Sequence, residues 1–140
     1  MSDVSKVLFV CVENSNRSQM AEAFARILGG NGVEAYSAGS RPSGVVNPKA
    51  VAAMQSFGYD LTTHQSKSLD DLPDVEFDAV ITMGCGDSCP HIPARNRADW
   101  ALPDPRDMSP EEYRVVCETI RDHVQTLLCD LGVALVENSA

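Results

Sequence analysis

Basic side chains are scarce in this chain. Eleven lysines and arginines stand against 20 aspartates and glutamates, for a formal net charge of −9 over 140 residues. Such a surface repels phosphate backbones and acidic lipid, which argues against nucleic acid and anionic membranes as partners. Long apolar runs are also missing: the amino-terminal run at 7–12 holds six residues. It is too short for a secretion signal or a bilayer span, so a cytoplasmic protein is expected. No repeat, low-complexity tract or linker divides the chain, and a single domain is expected over 1–140. With 44% hydrophobic and 22% charged residues, it can bury a core without disulfide or metal staples. Its five cysteines are then expected to be catalytic, redox-active or buried.

What is present is concentrated early. The apolar run at 7–12 includes Cys11, a polar loop Glu13-Asn14-Ser15-Asn16 follows, and Arg17-Ser18 open a helical pattern. Five residues between Cys11 and Arg17 let a loop curl around a tetrahedral oxyanion. Its backbone N–H groups point inward, and the helix start adds partial positive charge. Arg17 supplies a bidentate clamp. The same field favours the thiolate of Cys11, a nucleophile aimed at the anion's central atom. The oxyanion-binding set is therefore Glu13, Asn14, Ser15, Asn16, Arg17 and Ser18.

Along the chain, 7–12 suits a strand buried on both faces. A helix from Ser18 carries Met20, Phe24, Ile27 and Leu28 on one face and stops at Gly29-Gly30. Strands are expected at 33–38 and 77–83, with a short fourth at 98–102. Asn47-Pro48 starts a helix that turns Val51, Met54 and Phe57 inward and ends at Gly58. The stretch 60–72 reads as loop with a short helix, and 84–99 as a long functional loop. Ser109-Pro110-Glu111-Glu112 is a capping box opening a last helix with an apolar stripe from Val116 to Leu131, followed by a frayed tail. This alternation implies an α/β sandwich with a four-stranded parallel sheet, whose ligands bind at the carboxyl ends of strands.

Three further groups carry chemistry. Asp104, in the stiff turn Leu102-Pro103-Asp104-Pro105, is placed to act as a general acid or simply to start that turn. Cys85 and Cys89 are a redox pair or two unpaired loop thiols. Counting His91, they offer three metal ligands and no fourth, so no metal is expected. Cys117 and Cys129 are expected to be bystanders, and His64 and His123 structural. Lys67 is a surface charge or docks behind the anion loop.

Cys11-x5-Arg17-Ser18 at a strand end, with Asp104-Pro105 near the carboxyl end, resembles the low-molecular-weight protein tyrosine phosphatase family. The stretches 14–22, 36–40, 82–90 and 99–105 are similar to its arsenate reductase branch. The resemblance implies that Cys11 attacks arsenate held by the loop and Arg17 while Asp104 protonates the departing oxygen. A second thiol then releases arsenite, and a third passes the disulfide to thioredoxin, a glutaredoxin-like protein or a low-molecular-weight thiol; Cys85 and Cys89 fit these roles. No cofactor is implied. This chain departs from the pattern at Glu13, where glycine is frequent, and at Asn16, where many reductases carry cysteine. Lys67 falls where some reductases place a potassium-binding acid, and its ammonium would take the ion's part. Two other readings remain open: a phosphatase acting on phosphotyrosine or small phosphomonoesters, and an oxyanion or redox sensor.

Overall fold

The computed structural model describes residues 4–73, 75–83, 92, 94–103, 105 and 107–136. Its centre is β1 (Ser5–Cys11). Val7, Leu8, Phe9 and Val10 are each 0% exposed, as an apolar run without alternation requires. β2 (Val33–Gly39) and β3 (Phe77–Thr82) flank it, and β4 (Ala94–Asp99) lies beyond β3. The order is β2-β1-β3-β4, with every pairing parallel. The expected four-stranded parallel α/β sandwich is the observed one.

β4 differs from the expectation at 98–102. It starts at Ala94, inside the expected long loop, and ends at Asp99, in register from Phe77↔Ala94 to Thr82↔Asp99. Its sequence ARNRAD is largely exposed. As an edge strand it is held by the ladder rather than by burial, so it carries no apolar signal.

The two faces of the sheet are covered unequally. Val7, Phe9 and Cys11 join one cluster with α1 (Arg17–Gly29), α2 (Pro48–Gln55) and α3 (Pro110–Asp130). Leu8 and Val10 join Phe77 and Val80 under the segment containing Leu69, Leu72 and Val75. The caps expected for α2 and α3 are present. Asn47 accepts from the Lys49 amide, and Ser109 with Glu112 forms a reciprocal capping box, each cap contributing about 1 kcal/mol.

α1 departs most from an amphipathic surface helix. Its residues from Ser18 through Ala25 are all buried, including the polar Ser18, Gln19 and Glu22. Ala21, Ala23 and Ala25, each 0% exposed, let the helix sit close to the sheet, so its polar side chains are buried with it. They need partners inside the protein.

Candidate active site

β1 delivers Cys11 to the carboxyl end of the sheet, 4% exposed. The chain then loops through 12–16 into α1. Each carbonyl of that loop is taken from outside. Val12 O accepts from the Arg41 amide at 2.8 Å, Glu13 O from Ser43 at 3.0 Å, and Ser15 O from Asn47 at 3.0 Å. Ser66 Oγ also donates to Glu13 O at 3.0 Å. Asn14 O accepts from Gln19 Nε2 at 3.0 Å, and Asn16 O from the Met20 amide at 3.0 Å. In a planar trans peptide the N–H points opposite to the C=O. With five successive carbonyls tied outward, the amides turn to the loop's concave side, which is the expected anion nest.

The concavity is a cavity of about 290 Å³ lined by Cys11, Val12, Glu13, Ser15, Asn16, Arg17 and Asn47. Of the expected oxyanion set, Glu13, Ser15, Asn16 and Arg17 are on its wall. Glu13 is exposed. The side chains of Asn14 and Ser18 lie behind the wall, each 0% exposed, and hold the nucleophile. Ser18 Oγ is 2.8 Å from Cys11 Sγ, and Asn14 Nδ2 donates to Ser18 Oγ at 2.9 Å. Asn14 adopts φ +51°, a left-handed conformation that asparagine tolerates better than most residues. The Tyr113 hydroxyl donates to Asn16 Oδ1, tying the loop to α3.

Arg17 Nη1 donates to Leu102 O at 2.9 Å, two residues before Asp104. That segment is anchored by Trp100, which stacks on His123 with centroids 5.0 Å apart and packs on Phe9. The structural role expected for His123 is this stack. Asp104, Cys85 and Cys89, like His91, lie outside the described residues.

Lys67 docks behind the loop. Its amide donates to Asn14 Oδ1 at 2.7 Å, and its Nζ is 3.7 Å from Glu22 Oε1. Glu22, 3% exposed, also accepts from Ser37 Oγ at 2.6 Å and Arg26 Nε at 3.0 Å. An ammonium already stands beside this carboxylate, so the residues do not fit a bound potassium ion there, and no step is derived through one. Among the described residues no group of three or more His, Cys, Asp or Glu could hold a metal ion.

The sequence reading missed Gln19, Glu22 and Tyr59, named Asn47 as a helix cap without its place on the cavity wall, and gave His64 no partner. His64 sits between Gln19 Oε1, 2.9 Å from Nδ1, and the Tyr59 hydroxyl, 2.6 Å from Nε2. The available signal was the alanine spacing in α1, which forces Gln19 and Glu22 inward and so demands internal partners. Burial lowers the His64 pKa below 6.5; Glu22 opposes the shift, and Arg26 and Lys67 add to it. The unfolded chain therefore binds a proton that the folded chain resists. This contribution to stability is complete above pH 6.5 and declines as pH falls through that value toward the lower folded one. Melting curves from about pH 8 to about pH 5 should show His64→Asn with a shallower acid-side loss than wild type. Parallel curves would contradict this assignment.

The remaining described thiols behave differently. Cys117 donates to Met20 Sδ at 3.4 Å, and burial pushes its pKa up to about 11. It is a bystander, as expected. Cys129 is exposed on α3, with no anion loop around it. Iodoacetamide at neutral pH should leave Cys117 unlabelled, and phosphate or arsenate should protect Cys11 while leaving Cys129 labelling unchanged. Protection of Cys129 alone would place the anion elsewhere.

Comparison with known proteins agrees with this geometry. Residues 6–138 match the family described as low molecular weight phosphotyrosine protein phosphatase. The chain is 35% identical over 132 residues to the glutaredoxin arsenate reductase of Synechocystis sp., covering 92% of this chain and 100% of that one. A solved arsenate reductase in its phosphate-binding state superposes with a TM-score of 0.81 at 34% identity, over 91% of this chain and 98% of that one. The thioredoxin-dependent arsenate reductase of Corynebacterium glutamicum superposes at 0.77 with 34% identity, over 94% of this chain and 63% of that one. The chain belongs to the low molecular weight phosphotyrosine protein phosphatase family, alongside members named as arsenate reductases.

Proposed function

We propose that this protein reduces arsenate to arsenite, with Cys11 as nucleophile and electrons drawn from thiols. The observation that carries the reading is the loop whose carbonyls are all drawn outward around a cavity faced by Cys11 and Arg17. It is a site for a tetrahedral oxyanion with a thiol against it.

Arsenate enters with its oxygens on the loop amides and the Arg17 guanidinium. Cys11 Sγ forms a bond to arsenic, and one oxygen leaves as water with a proton from Asp104. A second thiolate, assigned to Cys85, attacks Cys11 Sγ. The sulfur–arsenic bond breaks with its electron pair going to arsenic, which leaves as arsenite, and a Cys11–Cys85 disulfide remains. Cys89 then attacks Cys85, freeing Cys11 and leaving Cys85–Cys89 for an external reductant. Each turnover oxidises two thiols and reduces arsenic from +5 to +3, so the electrons balance. Thioredoxin, a glutaredoxin-like protein or a small thiol is the proposed donor, supported by the names of the relatives above. Among the described residues no helix is long and apolar enough to cross a membrane. A cytoplasmic location is proposed because the relay needs a reducing compartment.

The test is NADPH oxidation that depends on arsenate, with thioredoxin and its reductase, or a glutathione-type system, supplying electrons. The reading expects one NADPH consumed per arsenite formed. A protein that reduces no arsenate with any of these donors but hydrolyses p-nitrophenyl phosphate is a phosphatase, the reading the shared Cys11–Arg17 geometry also permits. Oxyanion binding with neither reaction is the sensor outcome. Asp104→Ala should slow the chemical step and leave oxyanion affinity nearly unchanged; equal loss of both would make Asp104 a structural turn residue.

A further inference from the structure

The buried polar groups beneath the loop have a determined hydrogen-bond direction. Lys67 N donates to Asn14 Oδ1 at 2.7 Å, so that atom is an oxygen acceptor and the Asn14 amide nitrogen faces Ser18 Oγ, 2.9 Å away. Ser18 Oγ has then accepted one hydrogen bond, and its own proton is directed to Cys11 Sγ at 2.8 Å. Gln19 Nε2 faces only carbonyl-type oxygens: Asn14 O at 3.0 Å, Asn14 Oδ1 at 2.8 Å and Gln65 O at 2.8 Å. Its Oε1 is therefore the atom turned to His64 Nδ1, 2.9 Å away. Nδ1 must carry the imidazole proton, so Nε2 is an acceptor, and the Tyr59 hydroxyl 2.6 Å away donates to it.

From these directions we infer that Tyr59 and His64 are positioning residues for the nucleophile. They act through one continuous donor chain that runs Tyr59 to His64 to Gln19 to Asn14 to Ser18 to Cys11. Each donor polarises the next, and the chain ends on the sulfur that must hold negative charge. The chain also holds Asn14 in its left-handed conformation, φ +51°, and with it the curvature of the loop. The site supports this assignment. Gln19 is 0% exposed and the His64 side chain 4%, so water does not compete for the bond between them. The charged groups facing His64 are Glu22, Arg26 and Lys67. Glu22 Oε2, 3.7 Å from Nδ1, is engaged by Arg26. The imidazole can thus stay neutral, as a chain of single donors requires.

The inference rests on Cys11 being the loop nucleophile, and its test reads alkylation of Cys11 rather than arsenate turnover. A failure of the reductase reading would therefore leave it standing. Tyr59→Phe keeps the ring, which packs edge-on against His64 at 5.4 Å, and removes only the donor. Iodoacetamide modification of Cys11, followed by peptide mapping, should be slower in this variant than in wild type. At neutral pH it should slow by roughly two- to threefold, the scale of one weakened hydrogen bond to a charged acceptor. His64→Asn, which keeps a donor near Nδ1 and loses the acceptor at Nε2, should match it, and His64→Leu should be slower than both. In a Ser18→Ala background, where the last link is cut, Tyr59→Phe should cause no further slowing. Alkylation at the wild-type rate in Tyr59→Phe would overturn the inference. So would slowing of the same size in the Ser18→Ala background, because the effect would then reach Cys11 through general loosening of the fold.

Discussion

Cys11→Ser is expected to abolish arsenate reduction while the loop still binds oxyanions. Removing a nucleophile costs roughly a thousandfold or more in turnover. Serine oxygen also cannot form the disulfide through which the proposed relay delivers electrons to arsenic, so no slower version of that route remains. Binding is supplied by other groups: the loop amides, whose carbonyls are held by Arg41, Ser43, Gln19, Asn47 and Met20, and the Arg17 guanidinium. Phosphate titrated into the variant, followed by calorimetry, should give a dissociation constant within a fewfold of wild type. Retained arsenate turnover would remove Cys11 from the mechanism. Loss of phosphate binding along with turnover would show that the thiol was needed to form the loop.

The second large effect comes from a residue outside the cavity. Gly39 ends β2 beside the loop, and a Cβ there would lie 2.4 Å from Val12 O and 2.9 Å from Asn14 N. Both are backbone atoms. Val12 O is already fixed by the Arg41 amide, and Gly39 N is fixed by Lys67 O at 2.9 Å, so neither side can yield alone. Gly39→Ala must therefore displace the anion loop. A core shift of this kind costs about 1–3 kcal/mol, enough to lower the melting temperature by several degrees. Misplacing reacting groups by about 1 Å costs on the order of a hundredfold in rate. The variant should fold, melt earlier, and lose both arsenate turnover and the phosphate protection of Cys11. Wild-type activity in Gly39→Ala would mean that the close approach is not needed for the loop.

The strand–loop–helix around Cys11 was readable because its signals are local: a continuous apolar run, a polar loop, a helix start. The caps at Asn47 and Ser109 were readable for the same reason. β4 was misplaced because an edge strand of polar residues forms by pairing with β3 and carries no periodicity of its own. The support beneath the loop was hidden for a different reason. Gln19 and Glu22 have the polarity of a solvated helix face, and only the approach of α1 to the sheet turns them inward. Their partners Lys67, His64 and Ser37 are distant in sequence, and no spacing rule joins them. Asn14 and Ser18 were named in the oxyanion-binding set for their place in a loop whose backbone N–H groups point inward; the use of their side chains was not foreseen, and these face each other and the thiol behind the cavity wall.

The central claim is that electrons reach arsenic through Cys11 and are supplied by the thiols of Cys85 and Cys89. Fully reduced protein, mixed with arsenate in the absence of any external reductant, should release about one arsenite per chain, the product of one pair of thiols. Peptide mapping of the same sample without reduction should find Cys85 bridged to Cys89 and Cys11 free. No arsenite, with all thiols still free after arsenate, would contradict the account.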